Sequence, residues 1–231
     1  GLTCPVALAF DAHSNLYASD YNWAAGDRGT SKIVKFDPQG RGAVVAERLS
    51  GAFGLAFDAA GNLYIANYHG GTVAKLDDHG RLSSFAFVDH PYGLAFDSHN
   101  NLYVSCSWQN RILKIDSQGQ ATTYAATGLS CPAGLAFDTA GNLYVANKNA
   151  GTISKIDAEG NCSQFATTGE FSNPAGVAFR PSPTPIPALG IVRNGTNHVV
   201  SWSASASGLV LQQKEDLAGG GWTVVTNVPT V

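Results

Sequence analysis

The sequence predicts an all-β chain, a β-propeller of four-stranded antiparallel blades. Three observations carry that prediction. The tetrapeptide Leu8-Ala-Phe-Asp11 returns as Leu55–Asp58, Leu94–Asp97 and Leu135–Asp138, and then as Val177-Ala-Phe-Arg180. Counted at its last position (11, 58, 97, 138, 180), it recurs after 47, 39, 41 and 42 residues, a blade-sized period. Apolar residues fall in short runs rich in β-branched and aromatic side chains, with no helical periodicity between them.

Each unit reads as four strands in order. The first is the Leu-Ala-Phe run, and the second begins with Asn-Leu-Tyr at Asn15, Asn62, Asn101 and Asn142. The third carries Lys-apolar-Asp, closing at Asp37, Asp77, Asp116 and Asp157, each followed three residues later by Gly. The fourth is centred on Phe or Tyr, as in Ser84–Phe87 and Gln164–Ala166. Tight turns separate the first two strands. Gly61 and Gly141 supply the left-handed residue there, and Ser14 and Asn100 replace them elsewhere. The first unit holds seven extra residues, in the loop between Asp20 and Ser31.

Composition narrows the class. The chain has 231 residues, 44% of them hydrophobic, with 14 Lys+Arg against 17 Asp+Glu and a net charge of −3. A chain of this size hides about 70% of its surface on folding, enough for a core without metal or disulfide staples. A sparse charge of mixed sign lacks the basic stripe that nucleic-acid partners require. No apolar stretch approaches the length of a membrane-spanning helix, so no membrane insertion is expected. The absence of Met makes residue 1 an expected processing or fragment end.

The run Pro-x-Gly-Leu-Ala-Phe-Asp-x-x-Gly-Asn-Leu-Tyr-Val-Ala-Asn, followed by Ile-x-Lys-Ile-Asp-x-x-Gly, resembles the NHL repeat of six-bladed propellers. The resemblance covers residues 5–180, in four full copies and one first strand. It implies extracellular sensors and interaction scaffolds, with a minority of enzymes. Related six-bladed propellers include amidating lyases, a streptogramin-cleaving lyase and calcium-dependent lactonases. Because Gly1-Leu-Thr-Cys-Pro5 matches the inter-blade link Gly128-Leu-Ser-Cys-Pro132, an open arc of a larger propeller is expected, with an earlier blade upstream. Such an arc exposes an apolar face at each end.

Domain organisation follows: blades over 1–180, a linker over 181–187 and a second module over 188–231. The linker holds four of the ten prolines and reads as a semi-rigid spacer. Beyond it, Gly190–Arg193, His198–Trp202, Leu209–Gln213 and Trp222–Val225 alternate apolar and polar residues. They resemble part of a fibronectin-III-like sandwich of bacterial surface and secreted proteins. Low charge, this linker and the appended module lead to an expected extracytoplasmic location, secreted or on the cell surface. Of the four cysteines, Cys106 and Cys131 are expected on one face, so a Cys106–Cys131 disulfide is one expectation and four free buried thiols the other. No Cys-x-x-Cys is present to suggest zinc or redox chemistry.

Functional residues are expected on the loops joining second to third strands and on the inter-blade links, which converge on one face. Tyr21, Trp23, Arg28, Phe53, Tyr68, His69, Tyr92, Trp108 and Lys148 make an aromatic and cationic binding surface there. Trp23 and Arg28 stand out, since their insertion serves no repeat purpose. Asp20, Asn67 and Asn147 occupy equivalent positions and are weak candidates for calcium, broken by Cys106 in the third unit. His69 and His90 could approach across neighbouring blades, but a third histidine for zinc is missing. Lys35, Lys75, Lys114 and Lys155 recur in every blade, which says architecture, and inter-blade ion pairing is expected of them. No catalytic group is assigned and no cofactor is expected. The function expected is a secreted, non-catalytic scaffold binding a protein or glycan; the alternative is a metal-assisted lyase or lactonase.

Overall fold

A computed structural model of the chain describes residues 2–21, 31–167 and 173–179. It also describes the backbone of 190–194, 197–201, 212–213 and 223–224. The chain divides into two units, Gly1–Phe179 and Arg180–Val231.

The first unit is four antiparallel four-stranded sheets, each formed by consecutive strands. The first sheet holds β1 (Pro5–Phe10), β2 (Leu16–Asp20), β3 (Ser31–Phe36) and β4 (Gly42–Leu49). The second holds β5 (Ala52–Phe57), β6 (Leu63–Asn67), β7 (Thr72–Leu76) and β8 (Leu82–Phe87). The third holds β9 (Pro91–Phe96), β10 (Leu102–Cys106), β11 (Arg111–Ile115) and β12 (Ala121–Ala125). The fourth holds β13 (Pro132–Phe137), β14 (Leu143–Asn147), β15 (Thr152–Ile156) and β16 (Cys162–Thr167). The inner strands β1, β5, β9 and β13 neighbour one another in turn. The architecture is a propeller arc.

The core lies between blades. One cluster joins Tyr17, Ile33 and Leu49 of the first blade to Leu55, Leu63 and Ile65 of the second. Another joins Tyr64, Val73 and Val88 to Leu94, Val104 and Ile115. The third joins Tyr103 and Ile112 to Leu135, Val145 and Ile156. The second and third blades therefore bury both faces, one against each neighbour, and their second strands read as nearly continuous apolar runs. The tyrosine of Asn-Leu-Tyr meets the Phe of the next copy of the motif in every case. Ring centroids are 5.0 Å apart for Tyr17–Phe57 and Tyr64–Phe96, 4.9 Å for Tyr103–Phe137 and 4.6 Å for Tyr144–Phe179.

The fifth copy of the motif forms no ladder strand. It still takes the next inner position: Gly134 N–H donates to Ala175 C=O (3.0 Å), and Phe179 stacks on Tyr144. At the other flank nothing among the described residues covers β1. Leu8 is 61% exposed, whereas its counterparts Leu55, Leu94 and Leu135 are 8%, 6% and 8% exposed.

The turns follow the expected chemistry. Gly61 and Gly141 have φ +85°, and Ser14 and Asn100 have φ +62°. The motif's own Asp caps each turn. Asp97 Oδ1 accepts the N–H groups of His99 and Asn101 (both 2.9 Å), and Oδ2 accepts Asn101 Nδ2–H (2.8 Å). Asp11, Asp58 and Asp138 repeat the pattern with Asn15, Asn62 and Asn142. Burial pushes the Asp97 carboxyl up, but the Asn101 side chain, the two backbone N–H groups and Lys114 outweigh it and hold it below the usual value. Asp11, Asp37, Asp138 and Asp157 shift in the same direction.

Folded-state values below the unfolded ones mean that this stabilisation is complete above about pH 4 and is lost as pH falls through the folded values. Melting temperature should therefore drop steeply below about pH 4. The slope should be shallower in Asp97→Asn and Asp138→Asn, measured by calorimetry from pH 2 to 7.

The recurring lysines correct one expectation. Each lies directly across from its own blade's tyrosine: Lys35 from Tyr17, Lys75 from Tyr64, Lys114 from Tyr103 and Lys155 from Tyr144. The ammonium groups sit 5.2–5.9 Å from the ring centroids. Lys35 also pairs with Asp11 of the same blade at 3.7 Å. These are cation–π contacts within a blade, not inter-blade ion pairs.

The second unit holds two ladders, β17 (Gly190–Asn194) with β18 (Asn197–Ser201), and β19 (Gln212–Gln213) with β20 (Thr223–Val224). Strands thus occur in the expected places, and two two-stranded ladders alone do not make a fibronectin-III sandwich.

Candidate functional site

Seven of the nine expected binding residues lie among the described residues, on the loops and inner strands of all four blades. Tyr21 follows β2, Phe53 lies on β5, and Tyr68 and His69 form the β6–β7 turn. Tyr92 lies on β9, Trp108 in the β10–β11 turn and Lys148 in the β14–β15 turn. Phe53 is the hub, with centroids 5.5 Å from Tyr21, 5.0 Å from Tyr68 and 4.8 Å from Tyr92. His69 stands edge-on to Tyr68 at 4.9 Å, and Tyr21 Oη lies 3.5 Å from His69 Nε2. Lys148 Nζ sits 5.3 Å over Tyr92. Trp108 Nε1–H donates to Tyr68 Oη. Burial raises the Tyr68 phenol above its ordinary value, against the effect of that indole bond, so the hydroxyl stays protonated. Trp23 and Arg28 lie outside the described residues.

The inner strands border a groove of about 250 Å³, lined by Leu8, Leu55, Leu94 and Leu135 with Gly54, Gly93, Gly134 and Gly176. Tyr92 belongs both to its wall and to the aromatic cluster.

The oxygen set is engaged by the chain itself. Asp20, 2% exposed, accepts Thr3 and Cys4 N–H at Oδ1 (both 2.7 Å) and pairs through Oδ2 with Lys32 at 3.4 Å. Asn67 Oδ1 accepts Ser50 N–H (2.6 Å), and Asn147 Oδ1 accepts Ser130 N–H (3.1 Å). Each ties its second strand to the preceding inter-blade link, an architectural role. In the third blade, Cys106 cannot do this. Its turn bonds the following link: Ser107 Oγ–H donates to Pro132 C=O (2.7 Å), and Cys131 N–H donates to Asn110 Oδ1 (2.6 Å). His69 and His90 both pack on Tyr68. Among the described residues, the cluster of metal-binding type is Asp77, Asp78 and His79, in the β7–β8 turn and apart from this site.

The four cysteines are free thiols, which corrects the Cys106–Cys131 bridge. Side chains alternate along β10, and Cys106 falls with Leu102 and Val104 on the face packed against the second blade. Cys131 lies on the link into the fourth blade. Burial pushes the Cys106 thiol up to about 11, with Arg111 opposing, so it stays protonated at neutral pH. Nor are all four buried: Cys4 is exposed, and Cys131 and Cys162 are half-buried.

Sequence reasoning left three residues out of the binding surface at this face: Asp89, His90 and Gln109. His90 Nδ1 lies 2.6 Å from Asp89 Oδ1, and Gln109 Nε2–H donates to Asp89 Oδ2 (2.5 Å). A signal existed. Asp89 stands at the link position filled by Thr3, Ser50 and Ser130, and Gln109 stands where Gly70 and Ala150 occur.

The chain matches no family model and no curated protein. Solved structures do match. Virginiamycin B lyase of Staphylococcus aureus, as a catalytically inactive histidine-to-alanine form with quinupristin, is 16% identical with a TM-score of 0.62 over 74% of this chain and 58% of that one. A gluconolactonase of Xanthomonas campestris is 20% identical with a TM-score of 0.61, over 74% and 64%. An auxiliary nutrient binding protein of Bacteroides ovatus is 14% identical with a TM-score of 0.65, over 78% and 55%. The chain spans less than two thirds of each, and at these identities the likeness is one of fold.

Proposed function

We propose that the chain is a non-catalytic binding propeller, secreted or on the cell surface, that engages a protein or glycan through the aromatic loop face. One observation carries the reading: Phe53 and Tyr68 of the second blade and Tyr92 of the third form one set of ring contacts at the loop face, and Trp108 joins it through its indole hydrogen bond to Tyr68. Phe53 leans on the core between the second and third blades, whereas Tyr68, Tyr92 and Trp108 belong to none of the described core clusters, whose interfaces the Tyr–Phe pairs of the repeat already pack. Rigid aromatic side chains on a scaffold contribute contact area with little entropy loss on binding. Low charge and the proline-rich linker support the location.

The test is a screen of the full chain against arrays of glycans and of surface proteins, followed by variants on any ligand found. Tyr68→Ala combined with Tyr92→Ala should weaken binding by about 30-fold or more. Phe87→Ala with Phe165→Ala, exposed aromatics of outer strands, should leave it unchanged. The reverse pattern removes the loop face from the function.

A lyase or lactonase is the second reading, supported by the propeller enzymes among the structural neighbours and by His69 and His90 flanking Tyr68. Asp20, Asn67 and Asn147 each bond an inter-blade link. Turnover of quinupristin or gluconolactone that disappears in His90→Ala would establish this reading in place of the first.

A further inference from the structure

The third blade departs from the repeat at four positions of the loop face, and those four side chains touch one another. Asp89 replaces the small hydroxyl residue of the other links, and His90 stands where Cys4, Gly51, Cys131 and Asn173 occur. Trp108 and Gln109 replace His69-Gly70 and Asn149-Ala150. Asp89 holds His90 through one carboxylate oxygen and Gln109 through the other. His90 lies 5.5 Å from Trp108 with the rings 33° apart, and the indole N–H is fixed on Tyr68. His90 keeps φ +49°, a left-handed backbone that a non-glycine residue adopts at a cost.

Trp108 is nevertheless 74% exposed. Its ring is held at one edge by Tyr68 and lies beside His90, and most of its surface is open to solvent. An immobilised flat apolar plate has lost its rotamer freedom before any ligand arrives. Beside it stand acceptors: each Asp89 oxygen keeps lone-pair capacity beyond its present bond, and Gln109, whose Nε2–H is engaged by Asp89, carries a carbonyl oxygen of accepting type. A planar apolar surface rimmed by hydroxyl acceptors matches one ligand chemistry, a pyranose ring with C–H groups on its face and O–H groups on its edge. Phe87, still more exposed at 86%, sits on the outermost strand β8 with no such rim.

The geometry points to a saccharide-binding subsite formed by Asp89, His90, Trp108 and Gln109, taking a neutral sugar residue stacked on the exposed ring of Trp108. This rests on the loop-face reading above and narrows it to one ligand class. The Asp89 carboxylate selects against acidic sugars, which would bring a second negative charge beside it.

The test is calorimetric titration of the full chain with cello-, xylo-, manno- and laminari-oligosaccharides, and with oligogalacturonate as the acidic counterpart. At least one neutral series should bind with Kd below about 1 mM, and oligogalacturonate more weakly. Trp108→Ala should weaken that binding about 10-fold or more, Trp108→Phe less, and Phe87→Ala not at all. Gln109→Ala, an exposed truncation with no packing role, should weaken it several-fold with an unchanged melting temperature. Binding indifferent to both Trp108→Ala and Gln109→Ala, or no neutral binding up to about 10 mM, overturns the subsite. A protein ligand lost in the Tyr68→Ala, Tyr92→Ala variant but not in Trp108→Ala would overturn it while leaving the loop-face reading intact.

Discussion

Gly93→Ala is expected to cost about 3 kcal/mol or more, because the added methyl has nowhere to go. A Cβ at Gly93 would fall 2.2 Å from Ala133 O and 3.1 Å from Ser105 Oγ. The first is backbone of the next inner strand, so a side-chain rotation cannot relieve it. Gly93 N–H also donates to Ser105 Oγ (2.7 Å), whose hydroxyl donates to Ala133 C=O (2.6 Å). Pushing β9 from β13 breaks that bridge and leaves buried polar groups unpaired. Gly54 and Gly134 face the next inner backbone in the same way, at 2.5 Å from Tyr92 O and 2.6 Å from Gly176 Cα. Gly176 is the internal control: it occupies the same motif position, yet a Cβ there meets nothing within 4 Å. Urea denaturation should show a large fall in midpoint for Gly93→Ala and almost none for Gly176→Ala. Equal midpoints would show that the inner strands do not approach as described.

Tyr103→Ala should be comparably damaging, at about 3–5 kcal/mol. The ring is buried between the third and fourth blades, edge-on to Tyr124 at 4.8 Å and to Phe137 at 4.9 Å, with Lys114 Nζ 5.6 Å from its centroid. Truncation opens a cavity in an inter-blade core and removes the Lys114 contact together. Tyr103→Phe keeps every ring contact and loses only the hydroxyl's bond to Asp97 (3.3 Å), so about 1 kcal/mol is expected. A fall as large in Tyr103→Phe as in Tyr103→Ala would mean that the hydroxyl, not the packing, holds the interface.

The four blades and their turns were legible because each signal occurs several times. Asp97 with Asn101 reads ambiguously alone, but four copies of Asp and Asn at one spacing identify a capped turn. Side-chain direction was less legible. Lys114 was assigned to a neighbouring blade because its strand was recognised without its register; once Lys114 faces Tyr103 directly, the partner is its own blade. The Cys106–Cys131 bridge failed for a related reason. Closeness along the loop face was inferred, while strand alternation turns Cys106 toward the second blade. Asp89 was missed because a repeat-based search rewards recurrence, and Asp89 matters by interrupting it. The aromatic loop residues were found since nothing in blade packing called for a Tyr at 68 or a Trp at 108.

The uneven burial of the leucine motif has a dynamic consequence. The second and third quartets are clamped on both sides, so opening either one exposes two interfaces at once. Among the described residues the first is packed on one side, and with Leu8 in solvent there it comes away by breaking that one interface. In a stacked array whose cohesion resides in nearest-neighbour contacts, amide-exchange protection then rises from β1–β4 toward β9–β12. The loop-face residues with the most demanding geometry, Asp89 to Trp108, therefore sit on a quartet that cannot open without breaking both its neighbours' seals.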